Sequence, residues 1–229
     1  MAEGGVQGTA GTVQIDSGAT LDLSNSPTAS SAATLTQNGS LKLGSQNITV
    51  SQDYTNANFG AGNAFNRRAD VTGAGQILAS GNVAQALSGN VTGGTTATPT
   101  MTFGNVHVGS STTQDYTIEN TGTSGPSLRG AIQTSVNGGN LTSAALSGAG
   151  VTASNWGPVQ TSNATSNLGV TYAPTSAGAL SGQAVHIANN FDNVASQTLS
   201  IAGAAYDYAN PTISSTQPIN VGNYHVGVR

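Results

Sequence analysis

Arg67 and Arg68 are the only adjacent cations in the sequence, and the carboxylates Asp53 and Asp70 flank them. Guanidinium and carboxylate groups of this kind could form a polysaccharide site. The same side chains could instead pair with one another and pin a surface loop, which is a common use of exposed charges. We expect the second arrangement, and predict loop ion pairs among Asp53, Arg67, Arg68 and Asp70 without a catalytic role.

Asp16 and Asp22 are candidates for glycoside hydrolysis, which needs two carboxylates about 5 to 10 Å apart. Both lie on the polar phase of neighbouring strand segments, so they could approach one another. No aromatic platform for a sugar ring accompanies them, and no serine stands in a Gly-x-Ser-x-Gly nucleophile elbow. We therefore predict no catalytic residues and no enzymatic activity.

Three histidines could serve as metal ligands: His107 and His225, at equivalent positions of a repeated motif, and His186, on the polar phase of a strand. A metal site needs further ligands at fixed spacing, and no other histidine and no cysteine lies near them. We expect these histidines to be ordinary strand residues, exposed or hydrogen bonded at a sheet edge.

Two polar groups could offer oxygen atoms to calcium, Asp192-Asn193 and the segment 137–140. Neither matches the Asp-x-Asp/Asn spacing of known calcium loops, and both are adequate turn sequences. The sequence therefore predicts neither a metal nor a cofactor.

The composition is poor in charge, since only 6% of the 229 residues are charged and the net charge is −4. A chain with this balance has no surface that would attract nucleic acid. The absence of cysteine excludes a disulfide framework. No apolar run of about 18 residues is present to insert into a membrane. The first residues lack the basic start and apolar run of a signal peptide, so we expect any export signal to lie outside this chain.

Residues 11–80 follow a period of two, in which apolar residues such as Val13 and Ile15 alternate with polar ones. Alternation of this kind is typical of short strands with one buried face. Leu21 and Leu41 occupy similar segments 20 residues apart, a spacing that suits one coil of a β-solenoid. We interpret residues 1–92 as a β-solenoid fragment, with an excursion near 53–70 whose aromatic residues cover its end.

A repeated motif organises the rest of the chain: Phe-Gly-Asn-Val-His-Val-Gly at 103–109 and Val-Gly-Asn-Tyr-His-Val-Gly at 221–227. A second echo joins Ala-Gln-Ala-Leu-Ser at 84–88 to Ser-Gln-Thr-Leu-Ser at 196–200. The later part contains seven short strand candidates in roughly 100 residues, the count of an immunoglobulin-like sandwich. We place this sandwich at 93–210, with Trp156 and Tyr172 in its core. The candidates are 100–108, 113–120, 130–134, 151–153, 168–172, 183–189 and 197–203.

Residues 211–229 are interpreted as the orphan first strand of an interrupted further repeat. An unpaired strand can add to an exposed sheet edge, in this chain or in another copy, and could join copies head to tail. A frayed tail is the other interpretation of the same segment. The residues that would form the strand-addition interface are Ile219, Val221, Tyr224 and Val226.

Two resemblances cover nearly the whole chain. The segment 43–77, with Asp-Tyr-Thr-Asn at 53–56, resembles the solenoids of autotransporter passengers and filamentous haemagglutinin-type adhesins. The motif at 103–109, with Tyr-Thr-Ile-Glu-Asn-Thr-Gly at 116–122, is similar to the Ig-like repeats of choice-of-anchor D proteins, relatives of the Hydin-type Ig domains. These resemblances imply an exported bacterial cell-surface or matrix scaffold, and they transfer no catalytic residue.

The fold class that we predict is all-β, a short β-solenoid fragment followed by an Ig-like β-sandwich. The predicted function is structural or adhesive, in a secreted or surface-attached protein that self-associates by strand addition. Its expected partners are other copies of itself, other repeats of a parent chain, or surface glycans. The alternative is a solenoid that binds or cleaves polysaccharide.

Overall fold

A computed structural model describes residues 9–209 of the chain. These residues form an all-β protein, as the sequence predicts, with 17 strands and two short 3-10 segments at Gly62–Ala64 and Ala149–Val151. Within the same residues, no helix is long and apolar enough to cross a membrane.

Residues 9–79, called the first part below, contain two parallel sheets that the chain visits alternately. The order is β1-β3-β5-β7 in one sheet and β2-β4-β6 in the other, and every pairing in both sheets is parallel. The strands are β1 (Thr9–Ile15), β2 (Thr20–Asp22), β3 (Ser30–Gln37), β4 (Ser40–Gly44), β5 (Ile48–Asn56), β6 (Val71–Gly73) and β7 (Ile77–Ala79).

The period-two pattern explains the core of the first part. Leu41 and Leu43 alternate with exposed Lys42 in β4, and both leucines are fully buried. Leu21 pairs in register with Leu41, which confirms the predicted 20-residue spacing. Leu41 pairs next with Val71, 30 residues on, because residues 57–70 lie outside the strands of both sheets before the chain returns in β6. The predicted excursion at 53–70 therefore begins too early, since residues 53–56 belong to β5 and pair with β3.

Residues 85–206, called the second part, form two five-stranded sheets. One has the order β12-β15-β10-β14 with β8 also on β10, and the other has the order β13-β11-β16-β17-β9. The strands are β8 (Gln85–Gly89), β9 (Thr100–His107), β10 (Thr112–Asn120), β11 (Leu128–Gln133), β12 (Leu146–Ser147), β13 (Ser154–Val159), β14 (Asn163–Ala164), β15 (Leu168–Tyr172), β16 (Gly178–Asn189) and β17 (Gln197–Tyr206).

The two sheets of the second part share a buried core. The ring of Phe103 on β9 lies 5.6 Å from the ring of Tyr172 on β15, so the sheets pack face to face. Trp156 is buried, as is Tyr172, so both core predictions are confirmed. The side chain of Tyr116 is fully buried as well, and its hydroxyl donates to Gly150 O at 2.8 Å. Burial raises the pKa of the Tyr116 hydroxyl well above its ordinary value.

Two predicted boundaries differ from the structure. The sequence assigned residues up to 92 to the first part, whereas β8 pairs antiparallel with β10 of the second part. The segment 151–153 was predicted as a strand, but Ala149–Val151 is a 3-10 turn and the strand begins at Ser154. Packing explains the turn: a Cβ at Gly150 would lie 2.7 Å from the Tyr116 ring, so only glycine brings the chain this close.

Candidate functional site at the junction of the two parts

The first and second parts meet at residues 190–193, which follow β16 and which we call the junction loop. Asp192 N donates to Ile77 O at 2.9 Å, and Asp192 Oδ2 accepts from Ile77 N at 2.9 Å. Asn193 Oδ1 accepts from Ala79 N at 2.8 Å, and its Nδ2 donates to Ala79 O at 2.9 Å. Because β7 is the last strand of its sheet, these contacts satisfy backbone groups that no strand pairs within the described residues.

The junction loop also inserts an aromatic ring. Phe191 is fully buried, and its ring centroid lies 6.1 Å from that of Tyr54 on β5. Tyr54 contacts Phe59 edge to face at 5.2 Å, and Phe59 lies 5.0 Å from Phe65. Tyr54 on β5 and two aromatic residues of the segment 57–70, Phe59 and Phe65, therefore pack together with a ring from the second part. Burial raises the pKa of the Tyr54 hydroxyl far above its ordinary value.

The arginine pair binds the junction loop and not its own loop. Arg67 Nε lies 3.2 Å from Asp192 Oδ1, and Arg67 Nη1 donates to Phe191 O at 2.9 Å. Arg68 Nη1 lies 3.3 Å from Asp192 Oδ2. Arg68 also donates to two carbonyl oxygens of the first part, Gly73 O at 2.7 Å and Gly75 O at 2.6 Å.

The predicted ion pairs within the loop are therefore wrong in their partners. Asp53 accepts two bonds from Arg129 on β11, from Nε at 3.0 Å and from Nη2 at 2.8 Å. Asp70 accepts from Asn58 Nδ2. Asp53 and the two arginines therefore join the two parts, because their counter-ions lie in the second part. Arg129 is 76 residues from Asp53, and Asp192 is 124 residues from Arg68.

The excursion makes further contacts with the second part through amide side chains. Asn155 Oδ1 accepts from Gly62 N, and its Nδ2 donates to Gly60 O, both at 3.0 Å. Asn63 Oδ1 accepts from Thr134 N at 2.6 Å. Gly62 has a φ of +52°, and a Cβ there would lie 2.6 Å from the carbonyl carbon of Ala153. Any other residue at 62 would push the two parts away from each other.

A cleft of about 700 Å³ opens beside these contacts. His186 lies in its wall with Nδ1 3.0 Å from Thr198 Oγ1. Burial, and next the positive charge of Arg67, lower the pKa of His186 below its ordinary value, so the ring is neutral near pH 7. Asp192 is the one carboxylate among the residues that line the cleft, and it already binds both arginines. The other lining residues include Asn66, Asn137, Asn189, Asn193 and Ser196.

Each residue of the candidate acid pair has a contact of its own in the first part. Asp16 and Asp22 are both exposed and both lie outside the cleft. Asp16 accepts from Gln14 Nε2 at 2.6 Å. Asp22 accepts from the Ser24 hydroxyl and lies 4.0 Å from Lys42 Nζ. The hydrogen bond from the Ser24 side chain lowers the pKa of Asp22, and the Ser24 backbone bond and Lys42 act in the same direction.

The remaining residues that the sequence analysis singles out are the histidines and the four residues predicted to add as a strand. The His107 ring lies 5.4 Å from the ring of Tyr206 and 4.1 Å from that of Tyr208, with Nε2 3.9 Å from Asp207 Oδ1. Across residues 9–209, no group of three or more histidines or carboxylates is placed to hold a metal ion. The other predicted residues, His225, Ile219, Val221, Tyr224 and Val226, lie outside the described residues.

Comparisons with known proteins give partial likenesses only. No family model matches the chain, and no curated protein matches it. The ASH/PapD-like domain of human CEP192 (PapD-like domain 7) has 12% identity and a TM-score of 0.36, covering 55% of this chain and 87% of that domain. A protein of unknown function from Porphyromonas gingivalis has 15% identity and a TM-score of 0.35, covering 58% of this chain and 54% of its own. Neither likeness transfers a function, and the resemblance to choice-of-anchor D proteins stays a prediction.

Sequence reasoning missed the junction loop. Of its residues, the sequence analysis singles out only Asp192 and Asn193, as a turn or as calcium ligands, because Asn and Asp are common in both. The one signal against an ordinary turn was the phenylalanine between them, since a large apolar residue in an exposed turn has nothing to pack against.

Proposed function

We propose that this chain is a structural segment of a bacterial surface or extracellular matrix protein, in which the first part and the second part act as one stiff body. The observation that carries the proposal is the junction loop, which binds both backbone groups of Ile77 and both of Ala79. A flexible linker would leave each part free to move. In this protein the junction loop of the second part covers β7, the last strand of the first part.

We propose further that the first part is a β-solenoid fragment and the second an Ig-like sandwich. The first assignment is supported by the path of the chain, whose consecutive strands join the two parallel sheets in turn and pair in register with the strand before them in the same sheet. The second is supported by its first two strands, which join different sheets: β8 is antiparallel to β10 and β9 is parallel to β17.

The chemistry of the cleft favours structure over catalysis. Glycoside hydrolysis by its common mechanism needs a pair of carboxylates that flank the scissile bond, and Asp192 is the one carboxylate in the lining and is engaged in two ion pairs. The alternative function, glycan binding without cleavage, is favoured by one observation: Arg67 and His186 share the wall of a polar cleft.

Solution scattering combined with equilibrium unfolding tests the structural proposal. One stiff body gives a scattering curve that fits a single rigid arrangement, and one urea transition seen equally by Trp156 fluorescence and by circular dichroism. Two transitions, or scattering that needs several arrangements of the two parts, contradict the proposal. Release of reducing sugars from a panel of bacterial polysaccharides would favour an enzyme instead.

The C-terminal segment carries a separate proposal, that Ile219, Val221, Tyr224 and Val226 add as a strand to an exposed sheet edge. Light scattering of the full chain and of a chain lacking residues 217–229 tests it. Loss of assembly in the shortened chain supports strand addition, whereas an unchanged mass contradicts it. Export and surface location belong to the first proposal, that of a structural segment, and the resemblances of both parts support them.

A further inference from the structure

The cleft beside the junction loop has walls from both parts of the chain. Residues 65–68 line it from the first part, and residue 137 with several residues between 186 and 196 lines it from the second. Its volume of about 700 Å³ falls within the range of small-molecule sites, which measure about 300 to 1,000 Å³. A ligand in this cleft would therefore contact both parts at once.

The lining of the cleft is positively charged, although the whole chain has a net charge of −4. Arg67 and Arg68 contribute two positive charges and Asp192 contributes one negative charge, which leaves a net charge of +1. His186 adds no charge near pH 7, because burial lowers its pKa below the ordinary value. The cleft therefore favours a ligand with one negative charge.

Arg67 has hydrogen-bond donors available for such a ligand. A guanidinium group has five N–H bonds, and among residues 9–209 Arg67 donates one hydrogen bond, from Nη1 to Phe191 O at 2.9 Å. Its Nε lies 3.2 Å from Asp192 Oδ1, and its Nη2 has no hydrogen-bond partner in that range. Because the side chain lines the cleft and is 37% exposed, we expect Nη2 to bind a carboxylate that enters there.

Asn137 is held in the lining by a buried partner. Its Nδ2 donates to Gln133 Oε1 at 2.9 Å. Gln133 is fully buried and donates in turn from Nε2 to Phe65 O of the first part, at 3.1 Å. The Oδ1 of Asn137 accepts no hydrogen bond from the described residues, so it is available to accept one from a ligand hydroxyl.

Three further residues of the lining each keep one polar group without a partner within residues 9–209. Asn66 uses Oδ1 to accept from Arg68 N at 2.9 Å, which leaves Nδ2. Ser196 Oγ accepts a hydrogen bond, which leaves its proton to donate. His186 uses Nδ1, which leaves Nε2. Hydroxyl groups match this mixed set, because each of them can both donate and accept.

We propose that the cleft binds an acidic sugar residue, a ring with one carboxylate and several hydroxyl groups, as in a uronic acid. Arg67 binds the carboxylate. The ligand's hydroxyl groups bind the free polar groups of Asn66, Asn137, His186 and Ser196. The inference rests on the alternative function, glycan binding without cleavage, to which it gives a site and a ligand class. The structural role does not depend on it.

Titration calorimetry of the full chain tests the proposal with three uronates: glucuronate, galacturonate and mannuronate. Each is compared with its neutral hexose, which lacks the carboxylate, and with acetate, which lacks the hydroxyl groups. We expect at least one uronate to bind about tenfold or more tightly than both. Oligosaccharides of that uronate then identify the source: affinity that rises with chain length indicates a polysaccharide, and constant affinity indicates the free sugar.

Two substitutions locate the site. Arg67→Gln removes the charge that binds the carboxylate and should weaken binding at least about tenfold. Asn66→Asp should also weaken binding, because it brings the net charge of the lining to zero while the acceptor for Arg68 N is kept. The matched control is Arg129→Gln, which removes a junction arginine outside the cleft and should leave binding unchanged.

The contrary outcomes are equally definite. The proposal is overturned if none of the three uronates binds at concentrations up to about 50 mM, or if a neutral hexose or acetate binds as tightly. Wild-type affinity in Arg67→Gln, with a native circular dichroism spectrum, overturns it too. An equal loss in Arg129→Gln would show that binding depends on the junction and not on the cleft. Scattering and unfolding without ligand judge the structural role separately.

Discussion

The two ends of the parallel stack meet the same physical problem with opposite outcomes. At β7, four backbone groups that face outward are bound by the junction loop, and a buried phenylalanine packs beside them. At β1, the equivalent groups have no partner among residues 9–209. A sheet edge can therefore be closed without another strand, because one backbone amide, one carboxylate and one carboxamide provide the donors and acceptors.

The two ends also differ in how far apart in sequence their contacting residues lie. The end formed by β1 and β2, called the open end below, consists of segments adjacent in sequence. The covered end depends on residues 115 positions further along the chain, such as Asp192 with Ile77. Substitutions of the same type at the two ends should therefore have unequal effects on stability.

The largest effect should follow from Phe191→Ala. Phe191 is fully buried between the two parts, and removal of a buried aromatic side chain costs about 3 to 5 kcal/mol. The matched change at the open end, Val13→Ala, should cost about 1 kcal/mol or less, since Val13 is only partly buried. Urea unfolding of both variants measures the difference, and equal losses would show that the junction adds no more stability than the open end.

Asp192→Ala should have the second largest effect. It leaves Ile77 N without its acceptor and removes the carboxylate that pairs with both guanidinium groups, and Asp192 is only 12% exposed. We expect a loss of about 2 to 3 kcal/mol. Asp16→Ala, an exposed carboxylate at the open end, should change stability by less than about 0.5 kcal/mol. A loss of similar size for Asp16→Ala would contradict the comparison.

A smaller effect is expected for the ion pair of Asp53 and Arg129. Both side chains are more than a quarter exposed, at 27% and 28%, but the contact is bidentate. A double-mutant cycle with Asp53→Asn and Arg129→Gln should give a coupling energy of about 1 kcal/mol. The pair Asp22 and Lys42 at the open end, 4.0 Å apart and about half exposed, should show no measurable coupling in the same cycle.

The smallest effect is a difference in pH dependence. The folded-state pKa of His186 lies below 6.5, so protons bind the unfolded chain first as the pH falls. The contribution of His186 to folding stability is fully present above pH 6.5. It is lost as the pH falls from 6.5 to the folded-state pKa. Asp22 at the open end has a pKa below 3.8 and acts in a separate, more acidic window.

Urea unfolding at pH 7.5 and pH 5.5 measures this effect. His186→Gln should lose less stability between the two pH values than the wild type. Identical losses in the two proteins would show that His186 does not contribute. Asp22→Asn should lose as much stability as the wild type between pH 7.5 and pH 5.5, because the Asp22 carboxyl titrates at lower pH.

The regular parts of the fold follow from the sequence. Alternation predicts the buried leucines of β4, and the 20-residue spacing predicts the pairing of Leu21 with Leu41. The predicted strand 168–172 agrees with β15, and the other long strands differ from their predictions at the ends. Local pattern suffices here because one buried face fixes the register of a strand.

The junction could not be predicted, for a physical reason. Asp53 and the arginine pair were found, but the choice of a counter-ion depends on the folded chain and not on sequence distance. In the sequence, Arg129 and Asp192 carry no pattern that distinguishes them from the other charged residues. The strand β8 was assigned to the first part because nothing in its composition says which sheet it joins.

The carboxamide of Asn193 imitates a peptide group, since it offers one donor and one acceptor to Ala79 at the spacing of a neighbouring chain. It recognises main-chain atoms only, and so do the amide and carboxylate of Asp192 toward Ile77. Parallel strands could therefore be gained or lost before β7 during evolution while the junction loop stayed unchanged, and the number of strands in the first part would vary independently of the second part that ends it.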